Sequence, residues 1–133
     1  IDNLARFVAP GVVVCQSPWN KPGRSDPNAA VLDRIARDLE AMTDAEGRRL
    51  QVVRIPGPGL VEGEDGRALP ASHMNFLFGV KTVIVPIYSD AADDAMRALA
   101  PMFPGRRLIA LSSNAILTGG GSFHCITQQE PEI

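Results

Sequence analysis

The sequence predicts an α/β (α+β) fold of repeated strand–strand–helix–strand modules, about two modules followed by the start of another. Three observations carry that expectation. Two stretches each read as a short hairpin, an amphipathic helix and a closing strand, in the same order. Within each stretch the apolar residues keep helical spacing between the strand-like runs. Pro- and Gly-rich turns separate the periodic segments.

In the first stretch, Ala5 to Val8, the turn Ala9-Pro10-Gly11, and Val12 to Cys15 form the hairpin. A loop of turn formers runs from Ser17 to Ser25 and contains Trp19, which either walls a pocket entrance or anchors packing. Asp26 then caps a helix with Pro27 at its first position, where the missing N–H costs nothing. Val31, Leu32, Ile35, Ala36, Leu39 and Met42 give the helix its apolar face, and Gly47 lies just past its end. The charges Asp33, Arg34, Arg37, Asp38 and Glu40 read as its solvated face. Leu50 to Ile55 closes this module, which spans residues 1–56.

Residues 57–72 form a polar connecting loop, long enough either to lie solvated or to cover a site. In the second module, 73–112, Asn75 to Phe78 and Thr82 to Val85 make the hairpin around Gly79-Val80-Lys81. Asp90 caps a helix carrying Met96, Leu99, Ala100 and Phe103, which Pro101 should kink or end early. Arg107 to Leu111 closes it, and residues 113–133 open a third module with a strand carrying Cys125.

A chain of 133 residues is long enough for one domain with its own core. Its net charge of −2 and scattered basic residues exclude an electrostatic case for nucleic acid or an anionic membrane. No apolar run is long enough to span a bilayer, and no signal peptide is visible. Two cysteines, Cys15 and Cys125, make no disulfide framework and point to a reducing cytoplasm. Cys15, His73, His124 and Cys125 lack metal-ligand spacing, so no metal is expected. The chain opens on Ile1-Asp2-Asn3 rather than Met, already at strand-like sequence, and two modules alone would leave open sheet edges. Missing modules upstream are therefore expected, and the rest of the protein is needed to complete the fold.

The segment with most chemical content is Gly119-Gly120-Gly121 followed by Ser122 to Thr127. Three glycines clear the approach to a side chain and tolerate unusual backbone angles. Read as a strand, the segment puts Phe123, Cys125 and Thr127 on one face, with Ser122, His124 and Ile126 on the other. Either Cys125 is a reactive thiol, or it is an inert cysteine in a core strand after a turn. Cys15, at the end of a Val run, reads as core.

The pattern GGG-x-x-HC-x-TQQ at Gly119 to Gln129 resembles the signature of agmatine deiminases and bacterial peptidylarginine deiminase-type proteins, within the guanidine-modifying, or pentein, superfamily. Asp2-Asn3 with Ala5-Arg6-Phe7 resembles that family's H-x-D-N-x-x-R-F segment, and Asn75-Phe76 its S-x-x-N-F strand. Gly47 to Val53 and Phe103-Pro104-Gly105-Arg106 are similar to further segments, in the same order.

The resemblance implies a propeller-like ring of modules and hydrolysis of a guanidinium group to a ureido group with release of ammonia. Agmatine is the implied substrate; peptidylarginine, free arginine, or a non-catalytic guanidine-binding module are the alternatives. It implies Cys125 as nucleophile, forming a covalent thiouronium that splits a hard step into two. It implies Asp2 as the carboxylate that orients the planar cation. Gly120 and Gly121 would wall the channel, and Asn75 would either line it or satisfy strand-end backbone groups. The acid–base histidine falls immediately before Ile1, which would leave this chain inactive alone. His124, on the opposite face of the strand, is expected to support or pack; His73, ahead of the Asn75-Phe76 strand, either reaches the channel or, as the favoured reading, is exposed or packs. No cofactor is implied, and homo-oligomerisation is left open.

Overall fold

A computed structural model describes residues 1–19, 23–89 and 92–130. Two three-stranded sheets of matching topology make up the framework. In the first, β1 (Ala5–Ala9) pairs antiparallel with β2 (Val12–Ser17), and β3 (Gln51–Pro56) returns parallel to β2 after helix α1 (Ala29–Ala41). In the second, β4 (Leu77–Phe78) pairs antiparallel with β5 (Thr82–Ile87). After α2 (Asp93–Leu99), β6 (Arg107–Ser112) runs parallel to β5. A parallel return needs a crossover, and in both units a helix supplies it.

One core joins the two sheets. Val14 and Ile55 come from the first sheet, Val83 and Val85 from the second, and Ala95 and Leu99 from α2, which packs on β3. Met74, Phe76 and Phe103 complete it. Phe76, Phe78 and Phe103 meet pairwise edge-on at 5.3 to 5.5 Å, the favoured geometry for aromatic quadrupoles. Arg6 lies across this cluster, 4.6 Å from the Phe76 ring centre, and donates Nη1 to the carbonyls of Met74 and Phe76. It thereby ties β1 to the segment that precedes β4.

Several boundaries differ from the sequence reading. Asp26 accepts from the Asn28 N–H at 2.8 Å, but α1 begins only at Ala29, with Asn28 as an N-cap lacking a side-chain bond. Asp90, expected to cap α2, lies outside the described residues. Pro101 ends α2 as expected, and residues 100–102 tighten to a 3-10 turn. Asn75 and Phe76 stand outside β4, because the Asn75 carbonyl accepts from the His124 N–H at 3.2 Å instead of joining the sheet ladder.

The connecting loop is neither fully solvated nor laid over Cys125. Gly59, Leu60, Leu69 and Ser72 face Trp19, Asp26 and Leu32 across a cavity of about 290 Å³. Trp19 is thus a half-buried cavity wall.

Candidate functional site

Three distant pieces of chain converge on Cys125: the segment before β1, the segment before β4, and the turn after α3 (Asn114–Leu117). Ser72 joins the first two, donating its hydroxyl to the Asn3 carbonyl at 2.6 Å and accepting the Met74 N–H at 3.0 Å.

The strand expected over Ser122 to Thr127 does not form. Residues 123–126 make a turn, with Ile126 N–H bonded to Ser122 O at 3.3 Å and Thr127 N–H to His124 O at 3.1 Å. The Thr127 hydroxyl adds a bond to Phe123 O at 2.9 Å. Strand propensity yields here because the Thr127 hydroxyl takes backbone acceptors, and Asn75 the backbone donors, that a sheet would use. Ile116 and Leu117, read as the opening of a third module, lie in α3.

That correction relocates His124. Neighbours in a strand point apart, whereas in a tight turn they can face the same centre. His124 Nδ1 lies 2.8 Å from Asp2 Oδ2, and Cys125 Sγ lies 3.3 Å from the same oxygen. With a carboxylate as its partner, Nδ1 is the nitrogen that carries the proton. The His124 bond is the largest cause holding the Asp2 carboxyl down to about 2; the Cys125 bond adds to it, and partial burial opposes it.

Asn75 is fully buried beside these groups. Its Oδ1 accepts the His124 N–H at 3.0 Å and the Cys125 N–H at 3.3 Å. Its Nδ2 reaches Asn3 Oδ1 at 2.8 Å, Asp2 Oδ2 at 3.0 Å and Cys125 Sγ at 3.1 Å. Asn75 thus takes up backbone groups of the cysteine turn and at the same time faces Asp2 and Cys125 Sγ.

The glycines divide by function. A Cβ on Gly121 would stand 2.7 Å from Cys125 Cβ and 2.8 Å from Sγ, so the missing side chain makes room for the cysteine itself. Gly120 takes φ +90°, which L side chains rarely adopt, and faces open space. Beneath the turn, Ser122 is buried against the Ser113 hydroxyl.

Outside the site, His73 is buried, with Nδ1 bonded to Pro86 O at 2.7 Å, and burial lowers its pKa. Of the readings open to His73, the structure matches packing. Cys15 is buried in the core and burial raises its thiol pKa, whereas Cys125 is exposed. Among the described residues no group of three or more His, Cys, Asp or Glu side chains is placed to hold a metal ion.

An exposed thiol beside a carboxylate of depressed pKa can hold a cation against a nucleophile. Cys125 and Asp2 were legible from motif; the arrangement of His124 and Asn75 around them was not, because spacing carries no sign of a turn that closes on Asn75.

Comparison with known proteins bears on the family and the fold. Residues 1–131 match the Porphyromonas-type peptidyl-arginine deiminase family. A Lactococcus lactis protein provisionally named as an agmatine deiminase is 39% identical over 99% of this chain and 40% of its own length. The solved agmatine deiminase of Enterococcus faecalis superposes with a TM-score of 0.85 at 33% identity, over 98% of this chain and 40% of that one. A provisionally named arginine deiminase from Porphyromonas gingivalis gives 0.87 at 28% identity, over 99% and 38%. The fold is that of these deiminases, the pentein fold, and the chain spans about 40% of the length of the curated relatives it matches.

Proposed function

Because this chain belongs to the Porphyromonas-type peptidyl-arginine deiminase family, we propose that its protein hydrolyses a guanidinium group to a ureido group with release of ammonia, Cys125 being the nucleophile. Agmatine, giving N-carbamoylputrescine, is the proposed substrate, since relatives at 38 and 39% identity carry agmatine deiminase names. One observation carries the reading: exposed Cys125 Sγ lies 3.3 Å from Asp2 Oδ2.

Asp2 draws in the planar cation and aligns it through hydrogen bonds to its nitrogens. The cation's charge beside Sγ favours the thiolate, which attacks the amidine carbon. Collapse of the tetrahedral adduct expels ammonia, for which a proton must be supplied, and leaves a thiouronium on Cys125. Water then adds to that carbon, the C–S bond breaks, and the ureido product leaves with the thiol restored. The histidine that moves these protons is proposed to come from sequence preceding Ile1, as the resemblance implies, so the 133-residue chain by itself should release no ammonia. His124 is assigned to holding Asp2.

The test combines ammonia release by the whole protein from agmatine, arginine and peptidyl-arginine with mass mapping after haloacetamidine treatment. Agmatine turnover with label on Cys125 and none on Cys15 is expected. Turnover of arginine or peptidyl-arginine alone would change the substrate. Binding of guanidines without ammonia release would favour the non-catalytic module.

A further inference from the structure

We propose that Arg6 is a positioning residue of the reaction, setting the Asp2 carboxylate against Cys125 Sγ by way of residues 74–76; this rests on the reading of Cys125 as nucleophile and of Asp2 as the group that aligns the cation. Arg6 stands four positions after Asp2, in β1. Its Nη1 carries two hydrogens and gives them to two carbonyls, Met74 O at 3.2 Å and Phe76 O at 3.0 Å. The carbonyl between them, that of Asn75, accepts the His124 N–H at 3.2 Å. One stretch of backbone thus hangs from Arg6 by its outer carbonyls and carries the cysteine turn on its middle one.

Neither the sheet nor water can replace the guanidinium there. Residues 74–76 stand outside the β4 ladder, and Met74 and Phe76 are fully buried. The guanidinium also lies 4.6 Å from the Phe76 ring centre and 5.6 Å from that of Phe78, which holds the donor fork in one orientation. The Ser72 hydroxyl on the Asn3 carbonyl joins the same two pieces of chain at a second point. Two points of attachment set an orientation that one cannot, and Asp2 is carried next to both. Burial is the larger influence on Arg6 and lowers its pKa, while the charges of Asp2 and Cys125 oppose that shift. A fixed cation therefore stands within electrostatic reach of the two groups that would meet the substrate.

The test alkylates Cys125 of the whole protein with two reagents, read by mass mapping above the usual thiol range of pH. Chloroacetamidine is a planar cation that Asp2 can align; iodoacetamide is neutral and reads access to the sulfur alone. In Arg6→Lys and Arg6→Met the chloroacetamidine rate should fall about tenfold or more relative to the iodoacetamide rate, and further in Arg6→Met. In an Asp2→Asn background the same changes should leave that ratio nearly unaltered, because the aligning group is already gone. In agmatine turnover kcat should fall more than KM rises, with Arg6→Lys keeping part of the activity. A role confined to stability would lower the unfolding temperature and leave the ratio of the two rates unchanged. That result would overturn the proposal, as would equal falls with and without Asp2. Should neither Arg6 variant fold, the unaltered protein decides. Its Arg6 side-chain ¹⁵N–H resonances should shift when Cys125 carries the amidine, and resonances indifferent to that label would refute the coupling. Absence of deiminase activity would sink the proposed function while leaving the reagent ratio measurable.

Discussion

Asp2 and His124 meet through a 2.8 Å bond although 122 positions separate them in the chain. That contact, with Asn75 beneath it, turns three loop segments into one site. It also gives Asp2 a pH signature. Its carboxyl falls from 3.8 to about 2 in the folded protein. A depressed folded value means the stabilisation is complete above the unfolded value and is lost as pH falls through the folded one. The window therefore runs from about pH 4 down to about pH 2. Asp2→Asn should lower unfolding free energy at neutral pH by about 1 kcal/mol, discounted from full linkage because the side chain is 28% exposed. Urea denaturation at several pH values should show the gap to the unaltered protein closing toward pH 2; a constant gap would contradict the assignment.

Burial lowers the pKa of His73 below 6.5, which makes a second, separate window. The folded state disfavours the charged ring, so its contribution is complete above pH 6.5 and declines as pH falls toward the folded value. His73→Gln should be the less stable form at pH 8 and should lose less on acidification. Thermal melts of both forms between pH 8 and 5 check the narrowing of their difference.

Gly121 and Gly120 should respond differently to alanine. Gly121→Ala drives a Cβ to 2.8 Å from Sγ, so the turn must shift. We expect a loss of about 1–3 kcal/mol and much slower alkylation of Cys125. Gly120→Ala faces open space but must hold φ +90°, at a cost of about 1 kcal/mol with alkylation nearly unchanged. Equal alkylation rates in the two variants would count against the close packing at Gly121.

Arg6 offers a test of how the site is braced. Arg6→Lys keeps the charge but loses the flat face over Phe76 and one or both carbonyl bonds. A loss of about 1–2 kcal/mol is expected, and Arg6→Met should lose more because it strands two carbonyl acceptors. Chemical denaturation gives both numbers.

The framework was largely legible in the sequence because its signals are local. Pro10-Gly11 between strand-like runs marks the first hairpin, and the apolar spacing from Val31 to Leu39 marks α1. The site was legible in part. Cys125 and Asp2 stand in recognisable patterns, but Ser122 to Thr127 alternates like a strand and folds as a turn. What decides that turn is Asn75, 49 and 50 positions away, accepting the His124 and Cys125 N–H groups. No local pattern carries a contact of that range. A strand reading therefore puts His124 on the wrong face and leaves two roles open to Asn75.

The same long reach has a kinetic consequence. Each sheet closes within a short span of chain, whereas the Asp2 bonds to His124 and Cys125 span 122 and 123 positions. Long loops close slowly and repay their entropy late. The site should thus be among the last parts to form and the first to open, with the sheets still intact. Amide exchange at His124 and Cys125 would then outpace that of β2 and β5, so the thiol would be disarmed well before the protein unfolds.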